Sequence, residues 1–161
     1  MPLRIGLIGA GANTRTQHIP GLLRAPDVVL AGVANRSIES GQRIADEFGI
    51  ARVFDSVEAL LADPGIDAVC IGTWPYKHRE YSVQALEAGK HVLCEARMAM
   101  DLAEAEDMLA ASERSPGLVA QLVPAPFDFK LGPTITRLIE EGALGEVREV
   151  AVNVLNASAL D

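Results

Sequence analysis

The sequence has few aromatic residues and few cysteines, and each shortage excludes a class of protein. Only 4% of its 161 residues are aromatic, so Ala, Val, Leu and Ile must fill the core, which suits helices packed on parallel strands. The cysteines Cys70 and Cys94 lie in apolar runs without Cys-x-x-Cys spacing. We interpret them as small core residues rather than as a disulfide or metal pair.

Basic charge and long hydrophobic runs are also scarce. The net charge is −8, and binding a phosphate backbone requires clustered Lys and Arg, so no nucleic-acid partner is expected and any anion site must be local. No apolar run approaches the length of a membrane span, and the N-terminus lacks the apolar region of a secretion signal. We therefore expect a cytoplasmic protein with no membrane partner.

What is present is an alternation of short apolar runs with helix-like segments, which is typical of βαβ units in a parallel sheet. This pattern predicts an α/β fold, a Rossmann-type doubly wound parallel sheet. The six candidate strands are Leu3 to Ile8, Val28 to Ala34, Ala51 to Phe54, Ala68 to Gly72, His91 to Cys94 and Leu118 to Leu122.

Three helices between these strands carry recognisable start or stop signals. Gly49 closes a helix over 38–48, and capping patterns at 55–58 and 101–104 open two more. The last of these is amphipathic, and its acidic residues are interpreted as a solvated face rather than a metal site. Its predicted packed face consists of Leu102, Ala105, Met108 and Leu109.

A proline-rich stretch over 123–127 predicts a domain boundary, because its two prolines exclude a central strand or a helix interior. We predict a cofactor domain over 1–124 and, over 125–161, a linker, a helix and the first strand of a second α+β domain. That helix begins at Gly132-Pro133 and ends at Gly142, and the strand covers Val147 to Leu155. Nothing obvious completes this second domain, so we expect a fragment of a longer protein.

The most informative segment is a glycine turn directly after the first strand. Gly9 and Gly11 allow a tight turn that brings backbone N–H groups against a pyrophosphate at a helix N-terminus, with Ala12 and Asn13 beside them. Thr14 takes the third small position of the fingerprint, so the motif is incomplete and a merely structural turn is the alternative.

The second predicted strand ends in Asn35, Arg36 and Ser37, where this fold places its adenosine ribose contact. Asn35 is neutral where an acidic residue would favour NAD. Arg36 offers a planar cationic fork to a phosphate, and Ser37 adds a hydroxyl at the next helix N-terminus. The trio favours NADP, the alternative being a surface arginine beside a capping serine.

The fourth predicted strand leads into a loop at the carboxyl edge of the sheet, where open α/β folds bind ligands. Thr73, Trp74 and Pro75 are candidates for the middle of a cofactor. Trp74 offers a flat face to a ribose or ring, or else plugs the loop. His78 either reaches the cofactor or serves in capping and packing.

The run Gly89-Lys90-His91-Val92-Leu93-Cys94-Glu95, with Thr73-x-x-x-x-His78 and the glycine turn before it, resembles the Gfo/Idh/MocA family of glucose-fructose oxidoreductase and inositol dehydrogenase. The resemblance implies a two-domain NAD(P)-dependent oxidoreductase of sugars, cyclitols or related compounds, homo-oligomeric through its second domain. By position it implies pyrophosphate contacts from Gly9, Gly11, Ala12 and Asn13. It implies adenosine ribose contacts from Asn35 and Arg36. It also implies mid-cofactor contacts from Thr73 to Pro75 and His78, and places Glu95 near the nicotinamide ribose.

The sequence departs from the family where the family has its proton-handling lysine. Ala96 stands at that position, and Arg97, whose pKa is too high for acid-base work, stands at the usual proline and suits an electrostatic clamp. Catalytic residues therefore stay unassigned, and we expect no turnover from the chain alone. A reductase or dehydrogenase is one interpretation. A dinucleotide-sensing module and a purely structural interaction domain are the others.

Overall fold

In the computed structural model, which describes residues 1–123 and 131–151, one six-stranded parallel sheet has the order β3-β2-β1-β4-β5-β6. The order reverses between β1 and β4, so a crevice opens there at the carboxyl edge, and the predicted doubly wound fold is confirmed. The strands are β1 Leu3–Ile8, β2 Val28–Ala34, β3 Val53–Phe54, β4 Ala68–Ile71, β5 His91–Cys94 and β6 Ala120–Leu122.

Helices connect the strands, and side-chain caps define where several of them begin. Ser37 accepts a hydrogen bond from Ser40 N at 3.2 Å, and Asp101 accepts one from Glu104 N at 3.0 Å. A π-helical turn over Thr14–His18 leads into α1, and a 3₁₀ turn over Pro75–Lys77 precedes α4. The helices are α1 Ile19–Leu23, α2 Ile38–Phe48, α3 Val57–Ala62, α4 His78–Glu87, α5 Leu102–Arg114 and α6 Gly132–Glu140.

The alternation of side chains along the strands builds one core on each face of the sheet. Leu7 packs in the core with α1 and α2, whereas the next residue, Ile8, packs in the core with α3, α4 and α5. Cys70 and Cys94 are buried, one in each core, and are not bonded to each other. Burial raises the pKa of Cys70 to about 12 and that of Cys94 to about 11, so both stay thiols in the core.

Some predicted boundaries were wrong. Strand β3 begins at Val53 and β6 at Ala120, each two residues late, and β4 ends one residue early at Ile71. In α5 the buried positions are Met108 and Ala111, while Leu102 and Leu109 are exposed. The buried stripe is therefore rotated from the predicted one, because it follows the contact with α4 and the sheet rather than every leucine of the helix.

The chain divides into two compact units, Met1–Pro124 and Ala125–Asp161. In the second unit α6 begins after Leu131, and Gly142 follows its end in the left-handed conformation, with φ 70°. The predicted strand over 147–155 is wrong over 147–151, which have no strand structure, and its remainder lies outside the described residues. The prolines at 124 and 126 also lie outside the described residues.

Charged side chains hold the opposite, amino edge of the sheet together. Arg4 binds Asp67 in a fork, with Nη2 to Oδ1 at 2.6 Å and Nε to Oδ2 at 2.8 Å. Lys90 Nζ donates to the carbonyl oxygens of Asp63 and Ile66 at 2.9 and 2.8 Å. The lysine of the Gly89-Lys90-His91 motif is therefore a structural tie between β5 and the loop after α3.

The Arg4–Asp67 fork predicts a pH-dependent contribution to stability. The hydrogen bond from the Arg4 guanidinium holds the pKa of Asp67 well below its usual 3.8. A lowered folded-state pKa stabilises the fold above the unfolded pKa, and this contribution is lost as the pH falls towards the folded value. Asp67→Asn should therefore lower the free energy of unfolding near neutral pH, and the deficit should shrink below about pH 4.

Urea unfolding at several pH values measures this difference. Asp27→Asn, at an exposed aspartate with no ion pair within residues 1–123 and 131–151, is the matched control. A deficit for Asp67→Asn that stays constant from neutral to acid pH would contradict the assignment.

Candidate functional site at the carboxyl edge of the sheet

The glycine turn after β1 is packed directly against the loop after β4. Gly9 has φ 79°, and a Cβ there would lie 2.5 Å from Thr73 Cγ2 and 3.0 Å from Thr73 N. Only glycine fits this conformation at this distance. Gly9 N also donates to Ala34 O at 3.0 Å, so the turn is fixed to β2 as well.

Beyond Gly9 the turn is open, as an anion cradle must be. A Cβ on Gly11 would meet nothing within 4 Å, and Ala12 is exposed beside it. The first N–H groups of a helix have no intrahelical acceptor, and they favour negative charge. The space above Gly11 is open to an anion, and the backbone N–H groups of Gly11 and Ala12 are the ones that would face it.

Thr14, expected to line the cradle with the glycines, instead lies beneath it. Its side chain is buried, and its Oγ1 donates to Gly9 O at 3.1 Å. A Cβ on Gly72, just after β4, would lie 1.9 Å from that hydroxyl oxygen. The close approach that a third glycine usually permits is therefore provided by Gly72 on the neighbouring strand, which accommodates the larger Thr14.

The three residues after β2, which are Asn35, Arg36 and Ser37, differ in their contacts. Asn35 Oδ1 accepts from Ala10 N at 2.7 Å, which fixes the glycine turn and leaves the amide nitrogen without a protein partner within the described residues. Ser37 caps α2. Arg36 is exposed, and in the described part of the chain it makes no ion pair.

A cleft of about 320 Å³ opens next to Ala10 and Asn35, between the π-helical turn and α2. Its wall includes a bifurcated hydrogen bond from Arg15 Nε to both carboxylate oxygens of Glu47, each at 2.8 Å. Sequence analysis missed this wall, because pairing across two helices leaves no local signal. The lining residues are Ala10, Arg15, Asn35, Ser40, Arg43, Ile44 and Glu47.

The loop after β4 presents Trp74 to solvent. Its side chain is 73% exposed, so the alternative of a plug beneath the loop is wrong, and its flat face is accessible. Pro75 opens the 3₁₀ turn that follows. Thr73 Oγ1 is buried and has no hydrogen-bond partner within the described residues.

His78 is a link between two loops of the site. It is fully buried, its Nε2 lies 2.9 Å from Thr73 O and its Nδ1 lies 2.7 Å from Arg97 O. Both partners are acceptors, so the ring donates to one or both of them according to which nitrogens carry a proton. The ring is buried between these two carbonyl groups, so its position is that of the packing alternative.

Glu95, at the end of β5, is surrounded by donors. Its Oε1 accepts from Asn13 Nδ2 and lies 2.5 Å from His18 Nε2, and its Oε2 accepts from Ala96 N at 2.7 Å. Asn13 was expected to face the pyrophosphate, and its side chain instead reaches Glu95. Nothing in the sequence analysis singled out His18.

Ala96 and Arg97 are both exposed next to this group. Ala96 offers no proton and no charge. Within residues 1–123 and 131–151 the Arg97 guanidinium has no acidic partner, so its charge is available at the carboxyl edge. Among residues 1–123 and 131–151, an arginine without an acidic partner therefore lies near each end of the site, Arg36 by β2 and Arg97 by β5.

The sequence profile of the oxidoreductase family with an NAD-binding Rossmann fold matches residues 3–121. The chain belongs to this Gfo/Idh/MocA family. The resemblance seen in the glycine turn and the Gly89 to Glu95 segment is therefore confirmed, and the chain contains the family's NAD(P)-binding domain.

The relatives of this family member include sugar-active enzymes. It is 36% identical over 154 residues to the 1,5-anhydro-D-fructose reductase of Ensifer adhaerens, covering 96% of this chain and 45% of that protein. It is 29% identical over 149 residues to the D-glucoside 3-dehydrogenase of Escherichia coli, covering 91% and 41% respectively. The chain spans less than half the length of the curated relatives it matches.

A solved structure of similar fold contains a bound dinucleotide. KijD10, a 3-ketoreductase from Actinomadura kijaniata in complex with TDP-benzene and NADP, superposes with a TM-score of 0.74 at 28% identity. The match covers 92% of this chain and 46% of KijD10.

In the part of this chain that is described, no helix is long and apolar enough to cross a membrane.

The contact between Thr14 and Gly72 predicts a specific stability defect. Gly72→Ala places a Cβ 1.9 Å from Thr14 Oγ1 and 2.8 Å from Gly9 O. We therefore expect this substitution to lower the free energy of unfolding by about 2 kcal/mol or more. Adding Thr14→Ala should restore part of this loss, because it removes the first clash and not the second. Gly117→Ala, where a Cβ meets nothing within 4 Å, is the control.

Thermal and urea unfolding of the four proteins measure these differences. If Gly72→Ala is no less stable than Gly117→Ala, or if Thr14→Ala brings no recovery, the packing described for the turn is incorrect.

Proposed function

We propose that this chain is the NADP-binding part of a longer oxidoreductase that interconverts a hydroxyl and a carbonyl group on a sugar, a cyclitol or a related compound. NADP is preferred to NAD. The observation that carries the preference is Arg36, an exposed guanidinium at the end of β2 with no acidic partner in the described part of the chain.

The adenosine end of the site favours a phosphate over a free hydroxyl. An acidic residue at position 35 would accept from the ribose hydroxyls and repel a 2′-phosphate, and Asn35 does neither. Ser37 accepts from Ser40 N, so its own hydroxyl proton is available to an anion at the start of α2. Arg36 completes the set with two parallel donors for phosphate oxygens.

Most other arginines of the chain have an acidic partner, and Arg36 has none within the described residues. Three others also lack one there: Arg97 lies at the β5 end of the site, whereas Arg24 and Arg114 end α1 and α5 and so lie towards the amino edge of the sheet. The arginines with an acidic partner are Arg4, Arg15, Arg43, Arg52, Arg79, Arg137 and Arg148.

At the other end, the chain's own residues bind and orient rather than transfer protons. The nicotinamide, when bound, supplies or accepts the hydride. Glu95 offers one carboxylate oxygen, Oε2, to a ribose hydroxyl, and Arg97 offers positive charge that stabilises a developing alkoxide. Ala96 can hold no proton where the family has lysine, so we propose that proton transfer falls to a residue of the longer protein.

The comparisons support the substrate class. The names of the Ensifer and Escherichia coli relatives specify sugar substrates, and KijD10 is a ketoreductase with bound NADP. We further propose that residues 125–161 begin the substrate domain, and that the longer protein is a homo-oligomer through that domain, as the family resemblance implies. Two unpaired, buried cysteines support a cytoplasmic location.

Removing the Arg36 fork should weaken NADPH binding selectively. Arg36→Ala loses hydrogen bonds to a charged group, so we expect NADPH affinity to fall about 10- to 100-fold and NADH affinity to change less than about threefold. Calorimetric titration measures both. Arg114→Ala removes the same charge from the far edge of the sheet and should bind like the unmodified chain. Equal losses for NADPH and NADH in Arg36→Ala would refute the NADP assignment.

The activity itself is tested on the longer parent protein. NADP reduction is followed spectrophotometrically with a panel of sugars and cyclitols, and the reverse reaction with their keto forms. Turnover with at least one of these compounds is expected, because we propose that this chain binds the cofactor and that the longer protein supplies the group that transfers the proton. Tight NADP binding without turnover on the panel would instead favour the dinucleotide-sensing alternative, which Ala96 would explain.

A further inference from the structure

The carboxylate of Glu95, just after β5, lies against three hydrogen-bond donors of the protein. Two side chains, Asn13 and His18, bind the same oxygen, Oε1, and the backbone N–H of Ala96 binds the other. An ionised carboxylate only accepts hydrogen bonds, so the His18 nitrogen that faces Oε1 carries a proton.

The π-helical turn is what brings these two donors together. Asn13 and His18 are five residues apart, and in an α-helix that spacing separates two side chains by about 140° around the axis. Over Thr14–His18 the backbone bonds instead follow a five-residue spacing, ending with Ile19 N to Thr14 O. Five-residue neighbours therefore share one face, and π turns are frequent at functional sites.

The Glu95 group lies at the edge of the fold, apart from the residues that bury this segment in the core. Those residues are Ile19 and Thr14. The His18 and Glu95 side chains are 13% and 15% exposed, so the pair borders the open edge rather than the interior. Its neighbours there are the glycine turn and Ala96.

We propose that Asn13 and His18 are positioning residues that fix the Glu95 carboxylate to accept a hydrogen bond from one hydroxyl group of the nicotinamide ribose. A carboxylate has about four acceptor positions, and three are occupied by protein donors, so Oε2 keeps one for a ligand hydroxyl. This inference rests on the proposed function. It adds that the π-helical turn, and not β5 alone, sets the affinity for the nicotinamide half of the cofactor.

The test compares two probes on the full 161-residue chain: NADPH, and adenosine 2′,5′-bisphosphate, which has only the adenosine half. His18→Ala should lower NADPH affinity about 10-fold, the equivalent of one hydrogen bond to a charged group, and leave the bisphosphate within about twofold. His18→Gln, whose amide can still donate to Glu95, should recover most of the NADPH affinity. His91→Ala, at the amino end of β5, should bind both probes normally.

Asn13→Ala is a second variant at an exposed side chain, and it should also lose NADPH affinity alone. In His18→Ala combined with Glu95→Gln, the NADPH loss should be smaller than the sum of the single losses, because both act through one contact. Equal weakening of both probes, unchanged NADPH affinity, or no recovery in His18→Gln would each overturn the inference. An unmodified chain that binds neither probe would overturn the proposed function instead.

Discussion

The site depends on one close contact, between the glycine turn after β1 and the end of β4. Gly9 has no room for a side chain against Thr73, and Gly72 has none against Thr14. These two approaches, one in each direction across the switch point of the sheet, set the depth of the crevice. Asn35 then fixes the turn from the β2 side, and His78 joins the Thr73 loop to Arg97. None of these contacts fills the space above Gly11, where a Cβ would meet nothing within 4 Å.

Charge is distributed so that an acidic protein can bind an anionic cofactor. The chain has a net charge of −8, yet Arg36 and Arg97 at the carboxyl edge are without acidic partners within the described residues. Glu95 is surrounded by donors, so its negative charge is stabilised locally and the edge can still bind phosphates. Local pairing, rather than net charge, decides what this edge can bind.

Local sequence signals predicted the parallel sheet, the glycine turn and the helix caps. The spacing of apolar residues, the position of glycines and the capping side chains each act within a few residues, so they can be recognised in the sequence. They failed where long-range packing decides. Thr14 looked like a defect in the fingerprint, and only Gly72, far along the chain, shows how it is accommodated. His18 was missed because α-helical spacing separates it from Asn13, and the π-helical turn reverses that. The residues over 147–155 are of types that favour a strand, yet 147–151 form none. A strand also needs a neighbouring strand to pair with, which local residue types do not supply.

If this chain binds NADP through its own carboxyl edge, a fluorescence titration of the unmodified chain with NADPH and with NADH should detect it. The signal comes from Trp74, the only tryptophan, which is 73% exposed beside Thr73. We expect saturable quenching by both dinucleotides, with the lower dissociation constant for NADPH. Absence of saturable quenching confirmed by calorimetry, or tighter binding of NADH, would contradict it.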